Sequence, residues 1–211
     1  MPSRKDGPHD DALVVIKFGG SLMSSANLHA WLRALHTAAS GHRLVVVPGG
    51  GVFADAVREA QRRYGFDDAS AHDMALLAMA QFGHMLCSLS RASDAQMMPA
   101  TLDELDRTAE RGRATLWIPD PVELGRIAAI EPGWDLTSDS LAAWLAGRLG
   151  ARALVLLKSA PVQQSHPRLA DIIDARLVDE AFGRFMPSST TDLHLLGPDD
   201  PHELIAVLDG A

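Results

Sequence analysis

The chain has 211 residues, of which 47% are hydrophobic and 22% charged. That is one ordinary globular domain, and it excludes disordered and collagen-like chains. Nineteen basic against 27 acidic residues give a formal charge of −8, which speaks against a protein that grips duplex nucleic acid with a basic face.

Residues 1–11 are polar and lack the apolar core and cleavage site of a signal peptide, so they read as a disordered leader. Residues 12–211 read as one domain, without repeats or linkers. Ala12–Phe18 is consecutively apolar and β-branched, as a strand buried on both faces should be. Leu28, Trp31, Leu32 and Leu35 recur at helical spacing, with Ser25 or Asn27 as the N-cap. Arg43–Pro48 is a second buried strand. Phe53–Tyr64 has a helical period and stops at Gly65, and Ala71–Leu89 is a longer, more apolar helix. Thr115–Ile118 is a short strand stopped by Pro119 and Pro121. Asp139–Leu149 is a helix closed by Gly150. Ala153–Lys158 is a third buried strand. Val178–Phe185 reads as a short helix, Asp192–Leu196 as a strand and Pro201–Leu208 as a final helix.

This alternation predicts an α/β fold with a mainly parallel sheet and helices on both faces. Ligands in such sheets bind beyond the carboxyl ends of the strands. Chemistry is therefore expected in the loops after Phe18, Pro48 and Leu157. The single cysteine, Cys87, excludes an intrachain disulfide. The longest apolar runs are too short to span a bilayer. A cytoplasmic protein without a membrane partner is expected.

Of the 19 basic residues only three are lysines: Lys5, Lys17 and Lys158. The last two end apolar runs, an unusual place for a solvated charge. Lys17 opens Lys17-Phe18-Gly19-Gly20-Ser21, where two glycines after a buried strand let backbone N–H groups approach an anion. A helix N-terminus is expected to follow and add its dipole. The loop is not a Walker A motif, in which the lysine follows the last glycine. The alternative is a tight turn with a lysine that snorkels to solvent.

Pro48-Gly49-Gly50-Gly51 is a second possible cradle ahead of a helix. It also fits a loose dinucleotide pattern, Gly49-x-Gly51-x-x-Ala54, with Asp67 and Asp68 as possible ribose ligands. A plain glycine turn is the alternative. In Trp134-Asp135-Leu136-Thr137-Ser138-Asp139, any of the last three residues can cap the following helix. Alternatively, Asp139 faces the ligand edge and pairs with both lysines, offsetting their repulsion. His84 and Cys87 have metal-ligand spacing but no evident partners, and no metal site is expected.

The segments KFGGS (17–21), PGGG (48–51) and TSD (137–139) together resemble the amino acid kinase superfamily, in order, over about Ala12 to Gly210. Within it, GGGVFAD, the His-Asp-Met-Ala helix and WDLTSDSLA are most similar to the small kinases of methanofuran biosynthesis. The resemblance implies an open three-layer αβα sandwich that uses ATP and Mg²⁺. The acceptor would be a small-molecule phosphate, an aminomethyl-furan-methyl phosphate. It implies that Lys17 and Lys158 contact phosphoryl groups and that Asp139 organises them. Gly19, Gly20 and Ser21 would surround the ATP phosphates. Gly49, Gly50 and Gly51 would cradle the acceptor, with Asp135, Thr137 and Ser138 beside it. A homodimer or higher oligomer through the 71–89 helix is implied as well.

There are departures. Lys158-Ser159-Ala160-Pro161-Val162 stands where the family often shows T-D-V-D-G. The chain ends at Asp209-Gly210-Ala211, where relatives continue into a glycine turn and a last strand. Two other readings stay open: a kinase of an amino acid or nucleotide, and a non-catalytic oligomeric binding or storage protein on the same fold.

Overall fold

The structure, a computed structural model, describes residues 12–92, 96–162, 167–186 and 191–210; the predicted leader lies outside them. Strands β1 (Leu13–Phe18), β2 (Arg43–Pro48), β3 (Met98–Ala100), β4 (Thr115–Trp117), β5 (Ala153–Leu157) and β6 (Asp192–Leu196) form a six-stranded sheet in the order β3-β4-β2-β1-β5-β6. Every pairing is parallel, so the carboxyl ends of all strands share one edge. The helices are α1 (Leu28–Gly41), α2 (Gly51–Tyr64), α3 (Asp68–Ala92), α4 (Leu105–Thr108), α5 (Pro121–Leu124), α6 (Ser138–Leu149), α7 (Leu169–Asp174), α8 (Phe182–Phe185) and α9 (Glu203–Gly210).

Side chains on a strand alternate between faces. Leu13 and Val15 of β1, and Leu154 and Leu156 of β5, pack with α6, α7 and α8. Val14, Ile16 and Phe18, with Val155 and Leu157, pack on the opposite face against α1 and α9. Each buried aliphatic side chain contributes about 1.5–3 kcal/mol, so this double-sided core dominates the stability. The alanines of α6 (Ala142, Ala143, Ala146) let its backbone lie close to the sheet. Gly150 ends α6 in the left-handed conformation, as expected. α3 leaves Met74 and Leu77 exposed.

Several expectations are corrected. β3 was not foreseen; it is a three-residue edge strand that contains Pro99 and has no readable periodicity. α7 was also unforeseen, because Ile172 is its one buried residue. The helix expected over Val178–Phe185 shrinks to Phe182–Phe185. Asp179 and Ala181 instead bond to the segment that leads into α6. Asn27 occupies the N-cap position of α1 without capping it; its Nδ2 donates to Asp199 Oδ1 at 2.7 Å. Among the described residues, no helix is long and apolar enough to cross a membrane.

Candidate active site

Two lysines and one aspartate meet at the carboxyl edge of the sheet. Lys17 shares the parity of Leu13 and Val15 on β1. Lys158 follows β5 with the parity of Leu154 and Leu156. The two strands are neighbours, with Lys17 opposite Leu156. Both ammonium groups therefore emerge on the α6 side, and Asp139 in the first turn of α6 lies between them. Lys158 Nζ donates to Asp139 Oδ2 at 2.7 Å. Lys17 Nζ lies 3.1 Å from Asp139 Oδ1, an ion pair without the alignment of a hydrogen bond. Lys17 and Asp139 are each 7% exposed.

Burial pushes the Asp139 carboxyl up, but Lys17 and Lys158 outweigh it and hold its pKa below the ordinary value. Burial and then the repulsion of Lys17 lower the pKa of Lys158; the Asp139 and Asp179 carboxylates offset this only in part. Two fixed cations on one shared carboxylate leave positive charge directed at the sheet edge. In a chain of net charge −8, this is a local anion site.

The two glycine loops close on each other backbone to backbone. A Cβ on Gly20 would lie 2.2 Å from Gly51 N, and one on Gly49 would lie 2.4 Å from Gly20 N. Gly51 itself has φ +54°, a left-handed conformation that favours glycine. A 3₁₀ turn over Gly20–Ser24 follows the first loop instead of the expected α-helix N-terminus, and α1 begins at Leu28. The α-helix dipole therefore comes from α2, whose N-cap, Gly50, makes no side-chain cap bond. Ser21 Oγ donates to Ser159 Oγ at 2.7 Å, which ties the first loop to the one after β5. The dinucleotide reading has no support here. Asp67 accepts from Ser70 N and Asp68 from Gln61, just before and at the start of α3.

Asp179 was not foreseen. Its Oδ2 accepts from Thr137 N at 3.1 Å, Thr137 Oγ1 at 2.6 Å and Ser140 N at 3.1 Å, and its Oδ1 accepts from Ser140 Oγ. Of the three possible N-caps, the residue used is Thr137, which accepts from Asp139 N at 3.4 Å. Asp179 thus fixes the turn that carries Asp139 and sets its charge at a helix N-terminus. Asp179→Ala is expected to cost about 1–3 kcal/mol, because it strands buried donors. Thermal denaturation against wild type measures this.

Beside this centre lies a cleft of ≈ 360 Å³. Gly20, Ser21, Gly50 and Gly51 line it, as do Thr137 and Ser138. Asp135 is not among its lining residues; its carbonyl accepts from Ala181 N. Leu76, Met79, Leu136 and Leu141 form an apolar wall. Asp55, Arg58, His72 and Trp134, all unforeseen as site residues, also line the cleft. The guanidinium of Arg58 stacks 4.6 Å over the Trp134 ring, and Trp134 Nε1 donates to Gln61 Oε1 at 2.7 Å. The helical face of α2 carries a readable signal, since Gly51, Asp55 and Arg58 are four and three residues apart.

A model of the amino acid kinase family matches residues 12–183. A curated relative, (5-(aminomethyl)furan-3-yl)methyl phosphate kinase of Methanocaldococcus jannaschii, is 26% identical over 209 residues, covering 93% of this chain and 93% of that protein. Among solved structures, uridylate kinase from Archaeoglobus fulgidus superposes with a TM-score of 0.71 at 17% identity, over 93% of this chain and 95% of that one. UMP kinase from Ureaplasma parvum gives 0.68 at 13% identity, over 95% of each chain. Likeness at these identities is a likeness of fold.

Proposed function

The chain belongs to the amino acid kinase family and is a phosphotransferase; from that premise we propose that it transfers the γ-phosphoryl group of ATP to the phosphate of an aminomethyl-furan-methyl phosphate. The observation that carries this reading is the pair of buried lysines on Asp139, flanked by the glycine loops and an acceptor-sized cleft. The name of the Methanocaldococcus relative, which spans nearly all of both chains, supports this choice of acceptor.

Transfer of this kind needs positioning and positive charge more than covalent chemistry. An oxygen of the acceptor phosphate bonds to the γ-phosphorus, the bond from that phosphorus to the β–γ bridging oxygen breaks, and ADP leaves. A phosphate monoester has its second pKa near 6, so the attacking oxygen is already deprotonated at neutral pH. No general base is required, and Asp139 is not placed as one, since both its oxygens face lysines. Lys17 and Lys158 offer donors to the transferring group, and Asp139 pairs with both and offsets their mutual repulsion.

Gly20 and Ser21 would hold nucleotide phosphates, while Gly19 N donates to Leu157 O at 3.2 Å and fixes the loop to β5. The N–H groups of Gly50 and Gly51 at the start of α2 would hold the acceptor phosphate, with Thr137 and Ser138 alongside, while Gly49 N donates to Phe18 O at 2.8 Å and anchors the loop. Mg²⁺, when bound with the nucleotide, would supply charge neutralisation on the transferring phosphates. Among the described residues there is no cluster of three acidic, His or Cys side chains fit to hold a metal.

The test is ADP release with the furan phosphate, UMP and aspartate as acceptors. The furan phosphate is expected to give a kcat/KM about 10²-fold above the others, with a diphosphate product. A higher value with UMP or aspartate overturns the acceptor. ATP binding without turnover of any of the three overturns all three acceptors.

A further inference from the structure

The acceptor just described has two charged ends joined through an aromatic ring: a phosphate and a primary ammonium. Resting on that reading, we propose that Asp55 recognises the ammonium, so that the cleft selects aryl phosphates carrying a primary amine. Gly51, Asp55 and Arg58 lie on one face of α2 and all line the cleft. An α-helix rises 1.5 Å per residue, which puts Asp55 about 6 Å and Arg58 about 10 Å beyond Gly51. With its phosphate at the Gly51 end, a five-membered ring with two methylenes spans about one helical turn. Its ammonium then falls beside Asp55.

The surroundings support that placement. Asp55 is the one carboxylate among the described residues that line the cleft. Its Oδ1 is held 2.9 Å from Arg58 Nη1, and Arg58 is itself pinned over Trp134. One carboxylate oxygen is thus oriented by the protein, and the other is available to a ligand cation. Leu76, Met79 and Trp134 offer apolar and aromatic surface for the ring between the two ends. The Asp55 side chain is 72% exposed, so its charge is hydrated in the free protein and needs no buried partner. An exposed pair such as Asp55–Arg58 adds little to stability, and variants at Asp55 are expected to fold.

The experiment measures kcat/KM for (5-(aminomethyl)furan-3-yl)methyl phosphate and for its hydroxymethyl counterpart, in wild type, Asp55→Asn and Asp55→Glu. Wild type is expected to favour the amine about tenfold or more, the size of one charge-assisted hydrogen bond. Asp55→Asn should bring the ratio to within about twofold, through a higher KM for the amine. Asp55→Glu keeps the charge and should keep a preference. The proposal is overturned if wild type does not discriminate, or if Asp55→Asn leaves the ratio unchanged. Turnover of UMP or aspartate with neither furan compound used overturns the acceptor reading, and this proposal with it. Furan turnover that is indifferent to Asp55 overturns this proposal alone.

Discussion

Asp139→Asn is expected to lower kcat about 10²–10³-fold and to destabilise the fold by about 3–5 kcal/mol. The two losses have one cause. In wild type, the carboxylate sits between two ammonium groups at 2.7 and 3.1 Å. An amide keeps the shape and removes the charge, which leaves two buried cations facing each other. Breaking a buried ion pair costs more than the intact pair contributes, because the remaining charge has lost its compensation. Burial and Lys17 already lower the Lys158 pKa, and Asp139 is the largest group opposing them. In the variant, Lys158 sheds its proton at a lower pH, and with it the charge that a transferring phosphoryl group needs.

The sign of the pH effect separates this account from a simple packing defect. The folded-state pKa of Asp139 lies below its ordinary value of 3.8. A depressed carboxyl contributes stability that is present above the unfolded pKa and lost as pH falls through the folded one. The melting-temperature gap between wild type and Asp139→Asn should therefore be full at pH 6–7 and close as the pH falls below about 4. A gap that is flat with pH would sink the electrostatic explanation. Lys17→Ala supplies the complementary case. It leaves Asp139 bonded to Lys158, so it should cost less stability than Asp139→Asn while lowering kcat comparably. Unchanged turnover in both variants would place the chemistry elsewhere.

Much of this centre was readable in the chain. Both lysines end apolar strands and so stand out in the chain, while the register of β1 against β5, with Lys17 opposite Leu156, is what puts Lys17 and Lys158 on one face of the sheet. The T-S-D before an apolar helical run places an acid at a helix start. What could not be read is what lies far away in sequence. Asp179 is about forty residues from the turn it anchors, with no spacing rule to connect them. Asp55, Arg58 and Trp134 become a wall of the cleft only when α2 packs beside the segment before α6. The short elements β3 and α7 have too few buried side chains to leave a pattern. The glycines were legible as unusual, but their reason was half seen: they allow a ligand close and also allow each other close.

That second role yields the other large effect. Gly20→Ala is expected to cost about 1–3 kcal/mol or more and to abolish most activity, although the added group is one methyl. Its Cβ would sit 2.2 Å from Gly51 N and 2.7 Å from Gly51 Cα. These are backbone atoms at the start of α2, so no rotamer change relieves the clash and the two loops must separate. Separation shifts the α2 N-terminus relative to Lys17, and a misplacement of about 1 Å is enough to lose about 10²-fold in rate. Gly49→Ala strikes the same contact from the other side, 2.4 Å from Gly20 N, so the double variant should lose less than the sum of the two. Gly41→Ala is the control, since its Cβ would meet nothing within 4 Å at the last residue of α1. For a chain of this size, each kcal/mol lowers the melting temperature by about 2–4 °C, within reach of a thermal scan. A Gly20→Ala protein with wild-type melting and turnover would mean that the loops do not pack as described. Wild-type melting with lost turnover would mean that the glycine serves the ligand alone.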